Sequence, residues 1–373
     1  MLSTLLAQQI AGETTEAIGY NVIITDDAGV VIGSGDVSRV GTFHEASVDV
    51  MRTREPAWHD PEQARALQGV RPGITLPLLI GDQAVGTVGI TGSPRQVRRF
   101  GILVRRQTEI LLQESEVLRS RLLRERALER LVAEVAEFDP DVIDRDVLRD
   151  AAAGLGYEIP HPRRVLLIDF GAATIGPELL RAVRATFHHP QDMVATRSAT
   201  RCAVLADLGS RDDARVDELA GHLLDQVADP PGAVLGVSDA ASTLEELRDA
   251  CSDAESALRL GARFRPGDQV LRIRDLRLPQ ALEAVPRLGR SRLMEGALGS
   301  LVQDSRPELS ETVVAWCESG FNLVAAAGSL HVHRNTLIYR LDRIEELLGR
   351  PWRDHRAMLT AYVAVLAGRL ENA

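Results

Sequence analysis

The 373-residue chain contains no lysine, so all 43 of its basic side chains are arginine. That absence removes several kinds of chemistry. A phosphate-gripping P-loop lysine, a Schiff-base lysine and a kinase-type lysine cannot exist here. Every cationic contact falls to guanidinium or protonated histidine, and guanidinium suits flat anions such as carboxylate and phosphate. Cysteine is scarce as well. Cys202, Cys251 and Cys317 are odd in number and far apart, so they offer neither a disulfide framework nor a zinc spacing, and they fit a reducing cytosol. No apolar run approaches the roughly 20 residues a membrane helix needs. The opening MLSTLLAQQIAGET lacks the cationic start of a signal peptide. The expectation is a cytoplasmic protein with no membrane segment. GxSxG, HExxH and a dinucleotide-type glycine loop are missing too, so no catalytic residues, metal or cofactor are expected.

A formal net charge of −10 argues against a nonspecific nucleic-acid coat but leaves room for a small local reading surface. The length implies two or three domains. Residues 1–94 read as a small α/β unit. An opening helix precedes NVIITDDAGVVIGSG, two β-rich runs joined at DDAG, and a second hairpin, ITLPLLIGDQAVGTVGITG, turns at Gly81-Asp82. A PAS-like sensor is the expected fold. Over residues 95–138 Gly101 is the one glycine and proline is absent, while Leu111, Leu118, Leu122, Leu128, Leu131 and Val135 form a stripe. The reading is a connector helix spanning roughly 60 Å, whose narrow seam pairs with a second copy.

Residues 139–278 alternate strands (RRVLLIDF, DMVATRSA, RCAVLADL, AVLGVSDA, QVLRIRDL) with helices in a βαββαβ-type order, a ferredoxin-like or nucleotide-cyclase-like α/β sandwich. Residues 279–373 read as all-helical. The fold class is therefore α+β multidomain.

Within the helical region, Asn322 can cap LVAAAGSL, and Ala326 and Ala327 permit close crossing by a second helix. His331 falls where a tight turn favours a left-handed residue, and His333 precedes the second helix as a cap. On that helix Leu337, Leu341, Ile344 and Leu348 make the buried face. Thr336, Arg340 and Arg343 share another face, with Arg334, Asn335 and Tyr339 near its start. This is the layout of a helix-turn-helix, at about residues 310–367, offering its second helix to the major groove. Arginine can read guanine, asparagine can read adenine, and the other polar groups can hold phosphate. An ordinary helical hairpin with a wet polar face has the same spacing. Asp342, Glu345 and Glu346 nearly offset the arginines, so a dimer would be required. His331 and His333 do not share a helix face, which speaks against a metal site.

The run HVHRNTLIYRLDRIEELLG, with MLTAYVAVL after it, resembles the C-terminal helix-turn-helix of carbohydrate diacid regulators and of purine-catabolism regulators. VVIGSGDVSRVGTFHEAS and LQGVRPGITLPLLIGDQAVGTVGITGSP are similar to the sugar-diacid recognition domain of the first group. With the middle domain the resemblance covers nearly the whole chain. It implies a transcription regulator, an activator of catabolic genes, that senses glycerate, glucarate or galactarate and partners double-stranded DNA as a homodimer or higher homo-oligomer. Such an acid needs cationic forks and free amides. The candidates are Gly33, Ser34, Gly35, Arg39 and His44 in the first motif, and Arg71, Gly73, Ile74 and Thr75 in the second. Arg39 and Arg71 could equally pair with nearby surface acids.

The middle domain resembles the GGDEF domain of diguanylate cyclases. Its hairpin carries RSATRC, without paired glycines or the acidic pair that holds Mg²⁺. Asp169 alone cannot place a metal for phosphoryl transfer. A non-enzymatic spacer or dimer surface is the expectation. The alternatives are a nucleotide-binding or cyclase-like signalling enzyme and a DNA-independent scaffold.

Overall fold

The computed structural model describes residues 3–227, 232–303 and 306–371, and the chain divides into two units after Arg124. In the first, α1 (Thr4–Ile18) starts at Ser3, whose hydroxyl accepts the Leu6 N–H, and stops at left-handed Gly19. Then follow β1 (Val22–Thr25), β2 (Val31–Ser34), α2 (Glu45–Thr53), β3 (Ala57–His59), α3 (Pro61–Arg65), β4 (Gly73–Ile80), β5 (Gln83–Thr91) and α4 (Pro94–Ala136). The strands form one antiparallel sheet in the order β2-β1-β5-β4-β3.

Strand alternation sends Val22, Ile24, Ile74, Leu76, Leu78, Val88 and Ile90 to one face. There they meet Ala7, Ile10 and Ala11 of α1 and Val97, Val104 and Leu112 of α4. The opposite face carries Thr25, Thr75 and Thr87 and receives α2. One face is therefore aliphatic, and the other is buried and polar.

The glycines of the first motif serve this packing. A Cβ on Gly33 would lie 2.3 Å from the Ala7 carbonyl, and one on Gly35 would lie 2.3 Å from Thr15 Oγ1. Ser34 N donates to Gln8 Oε1 at 3.0 Å, and Gly35 N donates to the Val22 carbonyl at 3.1 Å. The expectation that Gly33, Ser34 and Gly35 present free amides to an anion is corrected. They bring β2 against α1.

In the second unit, the last turns of α4, α5 (Arg145–Gly154) and α8 (Leu244–Phe264) cover one face of a second sheet. That sheet is built from β6 (Arg163–Asp169), β7 (Met193–Thr196), β8 (Arg201–Asp207), β9 (Val234–Ala241) and β10 (Val270–Arg272), in the order β10-β9-β6-β8-β7. α6 (Pro177–Thr186) and α7 (Asp213–Gln226) cover the other face. The helical region follows as α9 (Arg277–Glu283), α10 (Arg287–Leu298), α11 (Pro307–Glu318), α12 (Leu323–Ser329), α13 (Arg334–Leu348) and α14 (His355–Glu371). Its core is continuous with Leu260, Leu271 and Ile273 of the α/β part.

The connector is one unbroken helix, but its apolar stripe does not have one environment. Leu128, Leu131 and Val135 are buried in the second unit, whereas Leu118 and Leu122 are exposed. A helix pattern that reads as one seam is divided by the units at its ends.

Replacing Gly33 by alanine is expected to lift α1 from β2 and destabilise the protein by about 1–3 kcal/mol, the usual cost of overpacking. Urea unfolding would show it as a lowered midpoint, while the same substitution at Gly12, whose Cβ position meets no neighbour within 4 Å, should not lower stability.

Candidate anion site and nucleic-acid interface

A short helical turn, Val37–Arg39, follows β2 and buries the Arg39 side chain, leaving the residue 6% exposed. Its guanidinium donates through Nη2 to the Gly69 carbonyl. Among the described residues no carboxylate lies within ion-pair reach of Arg39. Gly69 has φ +69, and a Cβ there would sit 2.0 Å from the Phe43 carbonyl. Only glycine lets that carbonyl reach the guanidinium.

Next to Arg39 a chain of buried hydroxyls begins at His44. His44 Nδ1 lies 2.7 Å from Ser47 Oγ, Ser47 Oγ lies 2.8 Å from Thr87 Oγ1, and Thr87 Oγ1 lies 2.8 Å from Thr25 Oγ1. Ser47, Thr87 and Thr25 are fully buried and His44 nearly so. The network ties α2 to β1 and β5 across the polar face of the sheet. Sequence reasoning missed Ser47, Thr25, Thr87 and Gly69. The usable signal was a threonine in each of two otherwise aliphatic strands, VIIT and GTVGI.

Arg71 is half exposed and pairs with Asp36 at 3.2 Å, the bland alternative at this position. Gly73, Ile74 and Thr75 lie within β4, between β3 and β5, so they are not a loop of free amides. The Ile74 side chain belongs to the aliphatic core on the far face. Those parts of the second motif are corrected, leaving Thr75 on the polar face.

Burial, followed by the nearby Arg39 and His59 charges, pushes the His44 imidazole down to about 4. Burial and then the Arg71 charge lower the Arg39 guanidinium as well. Asp36 is held below the usual carboxylate range, chiefly by a hydrogen bond from Ser38, with Arg71 helping. Arg39 is thus a buried cation near a neutral imidazole and under the opposing charges of Arg71 and Asp36.

At the other end of the chain, α12 is capped by Asn322, which accepts from the N–H groups of Val324 and Ala325. His331 has φ 54 and turns the chain. His333 Nδ1 accepts the Asn335 N–H at 3.2 Å and caps α13. Leu337, Leu341 and Ile344 are fully buried, against Ala326 and Trp316 among others. Arg334, Asn335, Thr336 and Tyr339 are exposed, and Arg340 and Arg343 are partly so. Arg343 pairs with Glu346, and Asp342 accepts the Trp352 indole N–H at 3.0 Å. Among the described residues no acid lies within ion-pair reach of Arg334 or Arg340. The helix therefore shows solvent a surface of open donors on its first turns.

In the middle domain, Asp169 accepts from Arg201 Nε at 2.8 Å and from the Gly171 N–H at 2.9 Å. Among the described residues no cluster of three potential metal ligands occurs.

Three stretches of the chain match known families. Residues 2–135 match sugar diacid recognition, residues 139–260 a GGDEF-like domain, and residues 309–367 the PucR C-terminal helix-turn-helix domain. The chain is 29% identical to the carbohydrate diacid regulator of Escherichia coli K12, over 98% of this chain and 97% of the relative. It is 25% identical to protein YsfB of Bacillus subtilis, over 98% and 97%. The purine catabolism regulatory protein of B. subtilis is 30% identical over 36% of this chain and 26% of its own length.

A histidine held neutral by burial binds fewer protons folded than unfolded. Its stability contribution is full above the unfolded value near 6.5 and is lost as pH falls toward 4. From pH 7 to pH 4 the His44 share of that loss is on the order of 3 kcal/mol. Chemical denaturation at both pH values should show a smaller drop for His44→Asn than for the parent protein, and equal drops would contradict the assignment.

Proposed function

We propose that this chain, which belongs to the carbohydrate diacid regulator family and ends in a PucR-type helix-turn-helix, is a DNA-binding transcriptional regulator controlled by a small hydroxy acid. The observation that carries the reading is the Arg39 guanidinium, buried with no carboxylate in ion-pair reach among the described residues. A buried charge demands a counter-charge, and a bound carboxylate supplies one in the flat geometry that guanidinium prefers. His44, Ser47, Thr87 and Thr25 are suited to the hydroxyls beside that carboxylate. Arg71 and Thr75 complete the site, with Arg71 free to exchange Asp36 for a second carboxylate. Glycerate, glucarate and galactarate are the effector class.

In this reading the five-stranded sheet is a PAS-like sensor within residues 1–94, and residues 95–138 connect it to the remainder and pair two copies. Residues 139–278 form a non-catalytic spacer, and residues 279–373 carry the DNA-binding module. Arg340, Arg334, Asn335 and Thr336 meet base edges and phosphates in the major groove. His333, Tyr339 and Arg343 flank them. The protein works in the cytoplasm as a homodimer on paired half-sites and activates genes for breakdown of its acid. The enzyme alternative gains no support from Asp169, whose carboxylate is engaged by Arg201.

Arg340→Ala should weaken binding to the protein's own promoter region by roughly tenfold or more, the worth of a good base contact, and leave effector affinity unchanged. Arg39→Met should abolish binding of glycerate and glucarate and leave the apo-protein's DNA affinity intact. Gel shifts and calorimetry on the two variants test the division. Loss of both functions in both variants would contradict it.

A further inference from the structure

We propose that Glu109 of α4 is a two-position latch through which occupancy of the anion site changes the hold of the sensor hairpin on the connector helix. The proposal rests on the effector reading above and assigns that site its regulation.

Strand β4 has two ends with different duties. Near its start, Thr75 lies on the polar face of the sheet. Near its end the pairing with β5 slips. Leu78 is opposite Gly86 and Leu79 is opposite Ala84, so Val85 is an extra residue. Such a bulge disrupts the ladder locally and bends the strand. The Leu79 N–H donates out of the hairpin to Glu109 Oε1 at 3.1 Å.

Glu109 is only 6% exposed, an unusual place for a carboxylate, which must be paired or hydrogen-bonded to remain charged there. A second donor waits beside it. Arg105 Nε, one helical turn earlier, lies 3.8 Å from the same oxygen, which is too far for a hydrogen bond. That Nε is buried and has no hydrogen-bond partner. Arg106, at 3.8 Å from the other carboxylate oxygen, is mostly exposed. One buried acceptor thus serves a strand amide while a neighbouring buried donor goes without.

A carboxylate movement of about 1 Å would bring Oε1 within hydrogen-bond distance of Arg105 Nε, and in the latch that bond forms as the Leu79 bond lengthens. In one position Glu109 ties α4 to the β4–β5 hairpin. In the other it bonds within α4 and releases the hairpin. The two positions exchange one satisfied donor for another, as a bistable element needs. An acid seated against Arg39 and the threonine face presses on β4, and the displaced strand surrenders its hold on Glu109 to Arg105. Glu109 touches no ligand and acts as a positioning residue.

The test uses the full chain with D-glycerate and glucarate as probes, calorimetry for acid binding and gel shift on its promoter for output. In the parent protein, acid should change DNA affinity by roughly fivefold or more, the lower range of measured couplings. Glu109→Ala and Arg105→Met should each bind acid within about threefold of the parent yet lose that change. Glu109→Gln, which keeps an acceptor for either donor, should restore part of it. The Leu79 amide should exchange faster with solvent when acid is bound, a signature that a purely structural carboxylate would not give. If Glu109→Ala fails to fold, Arg105→Met and the Leu79 exchange rate decide the matter. Intact acid binding with a parental response in these variants, or unchanged Leu79 exchange, overturns the latch alone. Failure of the parent to bind either acid overturns the effector reading and the latch with it.

Discussion

A guanidinium buried with no carboxylate in ion-pair reach among the described residues is the constraint on which the N-terminal unit turns. Burial of charge is tolerated only when some partner supplies what water has withdrawn. At Arg39 the protein supplies the Gly69 carbonyl, held in place by a glycine packed against the Phe43 backbone. Around it stand an imidazole driven neutral and a chain of hydroxyls, while the Asp36 carboxylate, paired with Arg71, offsets part of the charge without reaching Arg39 as an ion pair. The sheet explains why this arrangement survives folding. Its aliphatic face supplies the core with α1 and α4, and the polar face is closed by α2 through the Ser47–Thr87–Thr25 hydrogen bonds.

The other end of the chain solves the inverse problem. In α13, leucine and isoleucine at spacings of four and three lock one face into the helical core, which fixes the orientation of Arg334 and Arg340 without engaging them. His331 in the left-handed region and the His333 cap set where that helix begins. Two arginine environments thus differ in kind. Arg39 is buried and donates to a backbone carbonyl, whereas Arg340 is partly exposed and, among the described residues, has no acid in ion-pair reach. Joining the two is a single helix, α4, whose two ends belong to different cores and whose Glu109 is shared between helix and hairpin.

Much of this was legible in the residues. Periodicity gave the connector as one helix, the βαββαβ order of the middle domain, and the buried face of α13, because each pattern is local and repeated. Arg39, His44 and Arg71 stood out from motif chemistry, and of these Arg39 and His44 are buried while Arg71 pairs with Asp36. What the sequence concealed was commitment. Gly33 and Gly35 look the same whether glycine frees an amide for a ligand or makes room for a helix, and here Ala7 and Thr15 claim the room. Gly73 and Ile74 look like a loop until two neighbouring strands are placed beside them. Ser47 and Thr87 are 40 residues apart in sequence, and no spacing rule pairs them. The division of the connector stripe between two cores is likewise a tertiary fact.

The central claim is that Arg39 holds the effector's carboxylate. A crystal structure of the protein grown with D-glycerate or glucarate tests it most directly. The account predicts a carboxylate oxygen about 3 Å from the Arg39 guanidinium, with a ligand hydroxyl against the His44–Ser47–Thr87 chain. An acid seated elsewhere on the sensor, with the Arg39 guanidinium still facing no anion, would contradict it.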